Sequence, residues 1–170
     1  QAFSMFPMEV VCMEVLQKGM SEIGALWYGN QASVQQEHFA SGLAMRRLDA
    51  LLSATPAPTQ NKTVLVGCPP DEWHTFTPLL LSLLLRRRGL NVIYLGANVP
   101  AERFAETVKD VKADLIVLVA QQLISAELGQ RHGKIIRQVL PPGDEFRGEA
   151  TPAAVVQLEE THPLFAEAQG

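Results

Sequence analysis

The sequence is poor in cysteine and in net charge. Cys12 and Cys68 are the two cysteines among 170 residues, and neither belongs to a CxxC or Cys/His spacing, so we expect no disulfide framework and no zinc site. The 14 Lys and Arg against 18 Asp and Glu give a formal net charge of −4, which provides no basic surface for a nucleic-acid backbone. The composition therefore predicts a cytoplasmic protein that does not bind DNA through this chain alone.

Long hydrophobic runs are also absent. The longest, residues 76–85, is interrupted by Thr77, Pro78 and Ser82 and falls short of the ~20 residues of a membrane span. A hydrophobic content of 47% with 11 Pro and 12 Gly excludes disordered and fibrous chains. The N-terminus has neither an initiator Met nor a signal-peptide pattern, so we expect a globular fragment excised from a longer protein.

Residues 1–54 are predicted to form a helical-bundle segment. Apolar residues recur at alternating spacings of three and four over residues 13–27, which indicates one face of a helix. Ser33 and Gln36 form a candidate capping box for a second helix that runs to about residue 53. A pair of helices needs further partners to bury its apolar faces, so we expect bundle helices upstream of this chain.

Residues 62–170 are predicted to form an α/β domain. After a proline-broken linker, short β-branched runs alternate with amphipathic stretches, and the runs show no polar alternation. Such runs are typical of parallel strands that are covered on both faces. The predicted strands and helices are residues 64–67, 78–88, 92–95, 101–111 and 115–119. We expect a doubly wound, flavodoxin-like parallel sheet that binds its ligand at the carboxyl ends of its strands.

The C-terminal region fits this pattern less well. Residues 127–145 contain no β-branched run for a fourth strand, whereas residues 146–149 could form a short last strand and residues 152–160 a last helix. An empty fourth position would leave backbone groups of the neighbouring strand unpaired. We therefore hypothesise that a strand is missing from the chain between Ile124 and Gly133.

The loop after the first predicted strand holds the most reactive side chains. Glu72 precedes His74 by two residues, and a carboxylate partner fixes the tautomer of an imidazole and raises its basicity toward a metal. His74 is therefore a candidate axial ligand of a transition metal. Two alternatives stay open: His74 caps the following helix, or the pair serves as a general base, although the sequence places no Ser or Cys nucleophile beside it.

This loop resembles the cobalamin-binding fingerprint Asp/Glu-x-His-x-x-Gly of vitamin B12-binding α/β domains. Glu72 and His74 are in register with it, and Thr77 stands where that family has glycine. The resemblance implies that His74 displaces the cofactor's dimethylbenzimidazole and binds cobalt from below. Gly96, at the end of the second predicted strand, resembles the position where the family's backbone approaches the cofactor closely.

The helical segment resembles a narrower family. Trp27, followed after nine residues by Glu37 and His38, is similar to the Trp-x9-Glu-His signature of the CarH/LitR adenosylcobalamin photoreceptors, light-responsive repressors with a MerR-type DNA-binding domain. The resemblance implies that the indole of Trp27 lies against the adenosyl group and that Glu37 accepts hydrogen bonds from the ribose. It also implies that Val34 packs nearby and that His38 supports an oligomer. Without this spacing, Trp27 would be interpreted as a core aromatic.

Several positions depart from that family. Tyr28 stands where its best-known members have a histidine that binds cobalt after illumination, so that photoproduct is not implied here. The family's Ser-x-Leu falls near Gln121 and Gln122, which the resemblance makes candidate cofactor contacts. Its Gly-Gly has no counterpart. The resemblance covers about residues 6–123 and includes no DNA-binding domain.

The resemblance implies a light sensor that is not an enzyme. Adenosylcobalamin would lie between the helical segment and the α/β domain, and loss of the adenosyl group in light would change oligomerisation and so DNA binding through a domain outside this chain. The alternative is a corrinoid carrier of a methyltransferase or mutase, which would keep the glycine that Thr77 replaces and would not need Trp27. A third possibility is the same scaffold with another output or another tetrapyrrole.

Overall fold

The protein divides into two compact units. The computed structural model describes residues 2–100, 102–120 and 153–157, and the units comprise Gln1–Ala54 and Thr55–Gly170. The described part of the first unit is helical, whereas that of the second combines a parallel sheet with helices. Among the described residues no helix has the length and apolar character that crossing a membrane requires.

The described part of the first unit contains four α-helices. They are α1 Ala2–Met5, α2 Met8–Val11, α3 Lys18–Tyr28 and α4 Val34–Ser53. Between α2 and α3, Cys12–Gln17 forms a π-helical segment, whose wider turns displace the apolar face relative to a regular α-helix. The spacing of apolar residues predicted a single helix here and gave no sign of this change.

The capping box predicted at the start of α4 is confirmed. The backbone N–H of Gln36 donates to Ser33 Oγ at 3.2 Å, and the backbone N–H of Ser33 donates to Gln36 Oε1 at 2.8 Å. Two N–H groups that the helix leaves without a partner are thereby satisfied, and the helix begins at Val34. This cap fixes the turn that joins α3 to α4.

The described helices cover only part of their own apolar surface. The buried hydrophobic side chains of this unit are Val11, Cys12, Ala44 and Leu48. Large apolar side chains on the same helices remain exposed, among them Tyr28, Phe39 and Leu43. This agrees with the expectation that such a pair of helices needs further partners.

The second unit is a parallel sheet with helices between its strands, as predicted. The strands are β1 Thr63–Gly67, β2 Asn91–Gly96, β3 Leu115–Ala120 and β4 Ala153–Gln157, and the helices are α5 Phe76–Arg87 and α6 Phe104–Asp110. The strands lie in the order β2-β1-β3-β4, and each neighbouring pair is parallel. The chain therefore forms a doubly wound α/β domain in which β1 and β3 are central.

The fourth position of the sheet is filled, which corrects two predictions. Ala153–Gln157 pairs with β3, from Ile116↔Ala153 to Ala120↔Gln157, so the expectation of an unfilled fourth position is wrong. The helix predicted over residues 152–160 is wrong at these five residues, because a short β-branched run satisfies the free edge of β3 better than a helix could. The strand predicted at residues 146–149 and the window 124–133 lie outside the described residues.

Side chains of β1 and β3 are buried on both faces of the sheet. Leu65 packs with Phe104 and Val108 of α6, whereas Val64 and Val66 belong to a second cluster on the opposite face. Each such large side chain stabilises the fold by about 1.5–3 kcal/mol relative to an exposed one. Burial on both faces explains why these strands lack polar alternation, and it holds their carboxyl ends in fixed positions.

Candidate functional site

The candidate site of the α/β unit lies where β1 and β2 end. Residues 68–75 follow β1 and lead into α5, while residues 97–100 follow β2. Because the carboxyl ends of parallel strands meet at one edge of a sheet, these two loops are neighbours. Backbone hydrogen bonds join them: the N–H of Cys68 donates to the carbonyl of Gly96 at 2.9 Å, and the N–H of Val99 donates to the carbonyl of Cys68 at 3.0 Å.

The structure brings Glu72 and His74 together. The side chain of Glu72 is 0% exposed and that of His74 is 51% exposed, and 2.6 Å separates Glu72 Oε1 from His74 Nδ1. The same carboxylate oxygen accepts the backbone N–H of His74 at 3.0 Å. A carboxylate can only accept, so it holds the proton on Nδ1 and leaves the lone pair on Nε2. A half-exposed imidazole in this tautomer is suited to bind a metal.

Neither alternative role for His74 is supported by the geometry. The N-cap residue of α5 is Thr75, and no side chain caps that helix, so His74 is not its cap. The loop also contains the thiol of Cys68, whose Sγ donates to the backbone carbonyl of His74 at 3.7 Å. Burial, with a smaller contribution from the charge of Glu72, raises the pKa of this thiol to about 12, so it stays protonated and unreactive.

His74 is a single candidate ligand and not a member of a metal-binding cluster. Within residues 2–100, 102–120 and 153–157, no group of three or more His, Cys, Asp or Glu side chains could hold a metal ion. A metal bound here through one imidazole would therefore take its further ligands from outside the described residues.

Two glycines shape this edge of the sheet. A Cβ atom on Gly67 would lie 3.1 Å from Val99 Cγ2 and 3.2 Å from Leu95 Cβ, so glycine permits the close approach of the two loops. Gly96 has φ +80, and a Cβ built on it would meet no atom within 4 Å. The predicted site residue Gly96 therefore combines a backbone conformation that favours glycine with open space beside it.

Sequence reasoning missed Asn98 as a part of the site. Asn98 and Asp71 both have positive φ, 48° and 63°. Asn98 Oδ1 accepts the N–H of Asp71 at 2.9 Å, and the N–H of Asn98 donates to the carbonyl of Glu72 at 2.9 Å. An Asn shortly after a strand end is a weak signal, since Asn tolerates the left-handed region, but only the fold places it against a loop 27 residues away.

Thr77, Gln121 and Gln122 are the remaining predicted site residues of this unit. Thr77 lies in the first turn of α5 and is partly buried, three residues beyond His74. Gln121 and Gln122 lie outside the described residues.

The other predicted site residues flank the turn between α3 and α4. Trp27 is the penultimate residue of α3 and Val34 the first of α4, and their exposures are 48% and 42%. Trp27 is thus not packed in the core that the described residues form. Glu37 lies in the first turn of α4, where the helix dipole favours a negative charge, and its Oε2 accepts from His38 Nδ1 at 2.8 Å.

In comparisons with known proteins, the chain is similar to proteins associated with vitamin B12. Residues 1–52 match the family described as B12 binding domain. The HTH-type transcriptional repressors CarH and CarA of Myxococcus xanthus are 35% identical over 130 residues and 34% identical over 91 residues, which is 76% and 53% of this chain. Dimethylamine corrinoid protein 2 of Methanosarcina acetivorans is 27% identical over 130 residues, 75% of this chain.

Among solved structures, a cobalamin-binding protein from Desulfitobacterium hafniense DCB-2 aligns with a TM-score of 0.46 and 16% identity over 74% of this chain and 60% of that one. The chain spans 43% of CarH, 31% of CarA and 59% of the corrinoid protein. It therefore corresponds to only a part of each of these three relatives.

Proposed function

We propose that this chain is a cobalamin-binding regulator domain of the CarH type that senses light through bound adenosylcobalamin. The pair of Glu72 and His74 carries this proposal: its 2.6 Å contact presents one oriented imidazole at the carboxyl edge of a parallel sheet. A corrin would supply most of the ligands of its cobalt itself, so the single imidazole of His74 would be enough to hold it from the protein side. The open space beside Gly96 supports the approach of a large ring.

The helical unit would supply the residues for the upper ligand. We expect Trp27 to lie against the adenosyl group and Val34 to pack nearby, since both are apolar and exposed. Glu37 would accept hydrogen bonds from the ribose, and its present partner is the exposed imidazole of His38. An exposed Trp at a helix end is costly to leave in water, and burial against an adenine would recover that free energy.

The proposed output is a change of assembly and not a reaction of a substrate. Adenosylcobalamin, when bound, supplies a cobalt–carbon bond that light breaks. The contacts of Trp27 and Glu37 with the adenosyl group would be lost at that moment, which shifts the population between oligomeric states. His38 would support the assembled state, and DNA would be bound by a domain outside this chain, as the relatives' description as HTH-type repressors suggests.

The corrinoid carrier is the less favoured alternative. It is based on the similarity to the dimethylamine corrinoid protein. That sequence identity, 27%, is lower than the 35% and 34% identity to the two repressors. A carrier needs no residues for an adenosyl group, whereas this chain has the Trp27, Glu37 and His38 combination. The preference between adenosylcobalamin and methylcobalamin separates the two functions.

The test is reconstitution in the dark followed by illumination. The chain is incubated with adenosylcobalamin or methylcobalamin, passed through gel filtration, and its visible absorption and mass are recorded before and after green light. We expect retained adenosylcobalamin with a spectrum in which the dimethylbenzimidazole is displaced, and a change of mass on illumination. Absence of any corrin absorption in the protein peak would refute cobalamin binding, whereas equal retention of both forms without a light response would favour the carrier.

A further inference from the structure

We propose that Asn98 is a positioning residue that holds the Glu72–His74 pair in its ligand-binding geometry. This role rests on the proposed function, in which the Glu72–His74 pair binds cobalamin. Asn98 itself need not touch the cofactor. Its role follows from hydrogen bonds that connect the loop after β2 to the loop that carries His74.

Asn98 holds one peptide segment at both ends. Its side-chain oxygen accepts the N–H of Asp71 at 2.9 Å, and its own N–H donates to the carbonyl of Glu72 at 2.9 Å. The peptide between Asp71 and Glu72 is thereby held between two hydrogen bonds of good length. These two bonds help to fix the backbone of Glu72, whose own N–H donates to the carbonyl of Pro69 at 3.2 Å.

The position of Glu72 in turn determines the state of His74. Glu72 Oε1 accepts both the backbone N–H and the Nδ1–H of His74, at 3.0 and 2.6 Å. A displacement of Glu72 by a fraction of an ångström would lengthen both contacts and weaken the preference for the Nδ1–H tautomer. The path from Asn98 through Glu72 to His74 therefore consists of four hydrogen bonds.

Asn suits this position for two independent reasons. Its φ of 48° lies in the left-handed region, which Asn and Gly tolerate better than most residues, and its amide carbonyl supplies the acceptor. Asp71, with φ 63°, is also in this region, so its conformation requires support from outside. Gly at position 98 would keep the backbone conformation and lose the acceptor, whereas Asp would keep the acceptor.

The first experiment needs no cobalamin. The imidazole tautomer of His74 is measured by ¹⁵N NMR at pH about 8 in the wild-type chain and in N98G, N98D and K112G. The last is a matched control, because Lys112 also has positive φ, 51°, but lies before β3 at the other end of the strands. We expect the Nδ1–H form to dominate in wild type, N98D and K112G, and its ratio to the Nε2–H form to fall at least threefold in N98G.

The second experiment measures affinity for adenosylcobalamin in the dark. Loss of one intramolecular hydrogen bond corresponds to roughly threefold to tenfold weaker binding in N98G, with N98D and K112G within about twofold of wild type. A residue that only stabilises the fold would lower the unfolding midpoint without changing the tautomer ratio. If N98G does not fold, N98S replaces it, since a serine hydroxyl is too short to reach the Asp71 N–H.

Failure of the inference and failure of the proposed function are distinguishable. An unchanged tautomer ratio in N98G or N98S overturns the role of Asn98, whatever the affinity. A wild-type chain that binds no cobalamin overturns the proposed function, while the tautomer ratio still decides whether Asn98 controls His74.

Discussion

The carboxylate of Glu72, which is fully buried, accepts a 2.6 Å hydrogen bond from Nδ1 of His74, whose side chain is half exposed. The buried partner is thus the fixed one, and the exposed partner is the one that a ligand can reach. Short contacts to an ionised carboxylate are among the stronger hydrogen bonds of proteins. This asymmetry presents the imidazole to a ligand in one orientation and one tautomer.

Replacing His74 removes the proposed cobalt ligand. In H74A we expect weaker binding of adenosylcobalamin, or bound cofactor whose spectrum retains dimethylbenzimidazole on cobalt, because the protein no longer supplies a competing imidazole. Absorption spectra after gel filtration measure both outcomes. R103A, at an exposed side chain at the start of α6, is the control. A wild-type spectrum in H74A would remove His74 from the site.

Replacing Glu72 tests the orientation of that ligand. In E72Q the charge is lost while the shape is kept, so we expect cobalamin affinity to fall by about 10-fold to 100-fold, the usual effect of a lost partner of a metal-binding histidine. Equilibrium titration followed by absorption measures the change. Equal affinity of E72Q and wild type would show that the 2.6 Å contact does not contribute to binding.

Replacing Trp27 should separate binding from assembly. In W27A we expect cobalamin to bind through His74 with little change, while the oligomer that forms in the dark with adenosylcobalamin becomes weaker, since the indole would touch only the upper ligand. Gel filtration with light scattering measures the mass. L26A is a matched control, because Leu26 is its neighbour and is exposed to a similar degree, 41% against 48%. Equal assembly of W27A and wild type contradicts the proposed role.

Asp114 gives the α/β unit a defined pH dependence. Its carboxylate accepts from Lys62 Nζ at 2.9 Å and from the Thr63 N–H at 2.8 Å, and these two interactions lower its pKa below the usual 3.8. A lowered pKa stabilises the fold above the unfolded value, and this contribution is lost as pH falls from about 4 through the folded pKa.

In D114N we therefore expect a free energy of unfolding about 1 kcal/mol lower near neutral pH, with the difference from wild type decreasing below pH about 4. Urea unfolding at several pH values measures it. A difference that is independent of pH would indicate that the carboxylate acts through its shape and not through its charge.

Cys68 should be inert in the folded protein. A pKa of about 12, raised mainly by burial, leaves roughly one thiol in 10,000 ionised at pH 8, and the thiolate is the reactive form. A C12A variant leaves Cys68 as the only thiol, and we expect a disulfide reagent to label it slowly in buffer and rapidly in denaturant. Rapid labelling of the native chain would mean that this loop opens.

Local features of the site could be predicted because they depend on neighbours in sequence. Glu72 and His74 are two residues apart, so their proximity follows from any loop conformation that directs both side chains to one side. The capping box of Ser33 and Gln36 is local for the same reason. The strands β1, β2 and β3 were predicted because their hydrophobic runs reflect burial on both faces.

The tertiary structure alone decided what depends on distant segments. Ala153–Gln157 is a strand because the edge of β3 requires hydrogen-bond partners, whereas its own short sequence also permits a helix. The π-helical turns at Cys12–Gln17 leave no trace in the spacing of apolar residues. Asn98 accepts a hydrogen bond from Asp71 in the loop after β1, and the pairing of β1 with β2 brings these two loops together. The sequence by itself determined which reactive side chains are present. The fold determined which of them are fixed in position, because hydrogen bonds between loops at the edge of the sheet join residues that are distant in the chain.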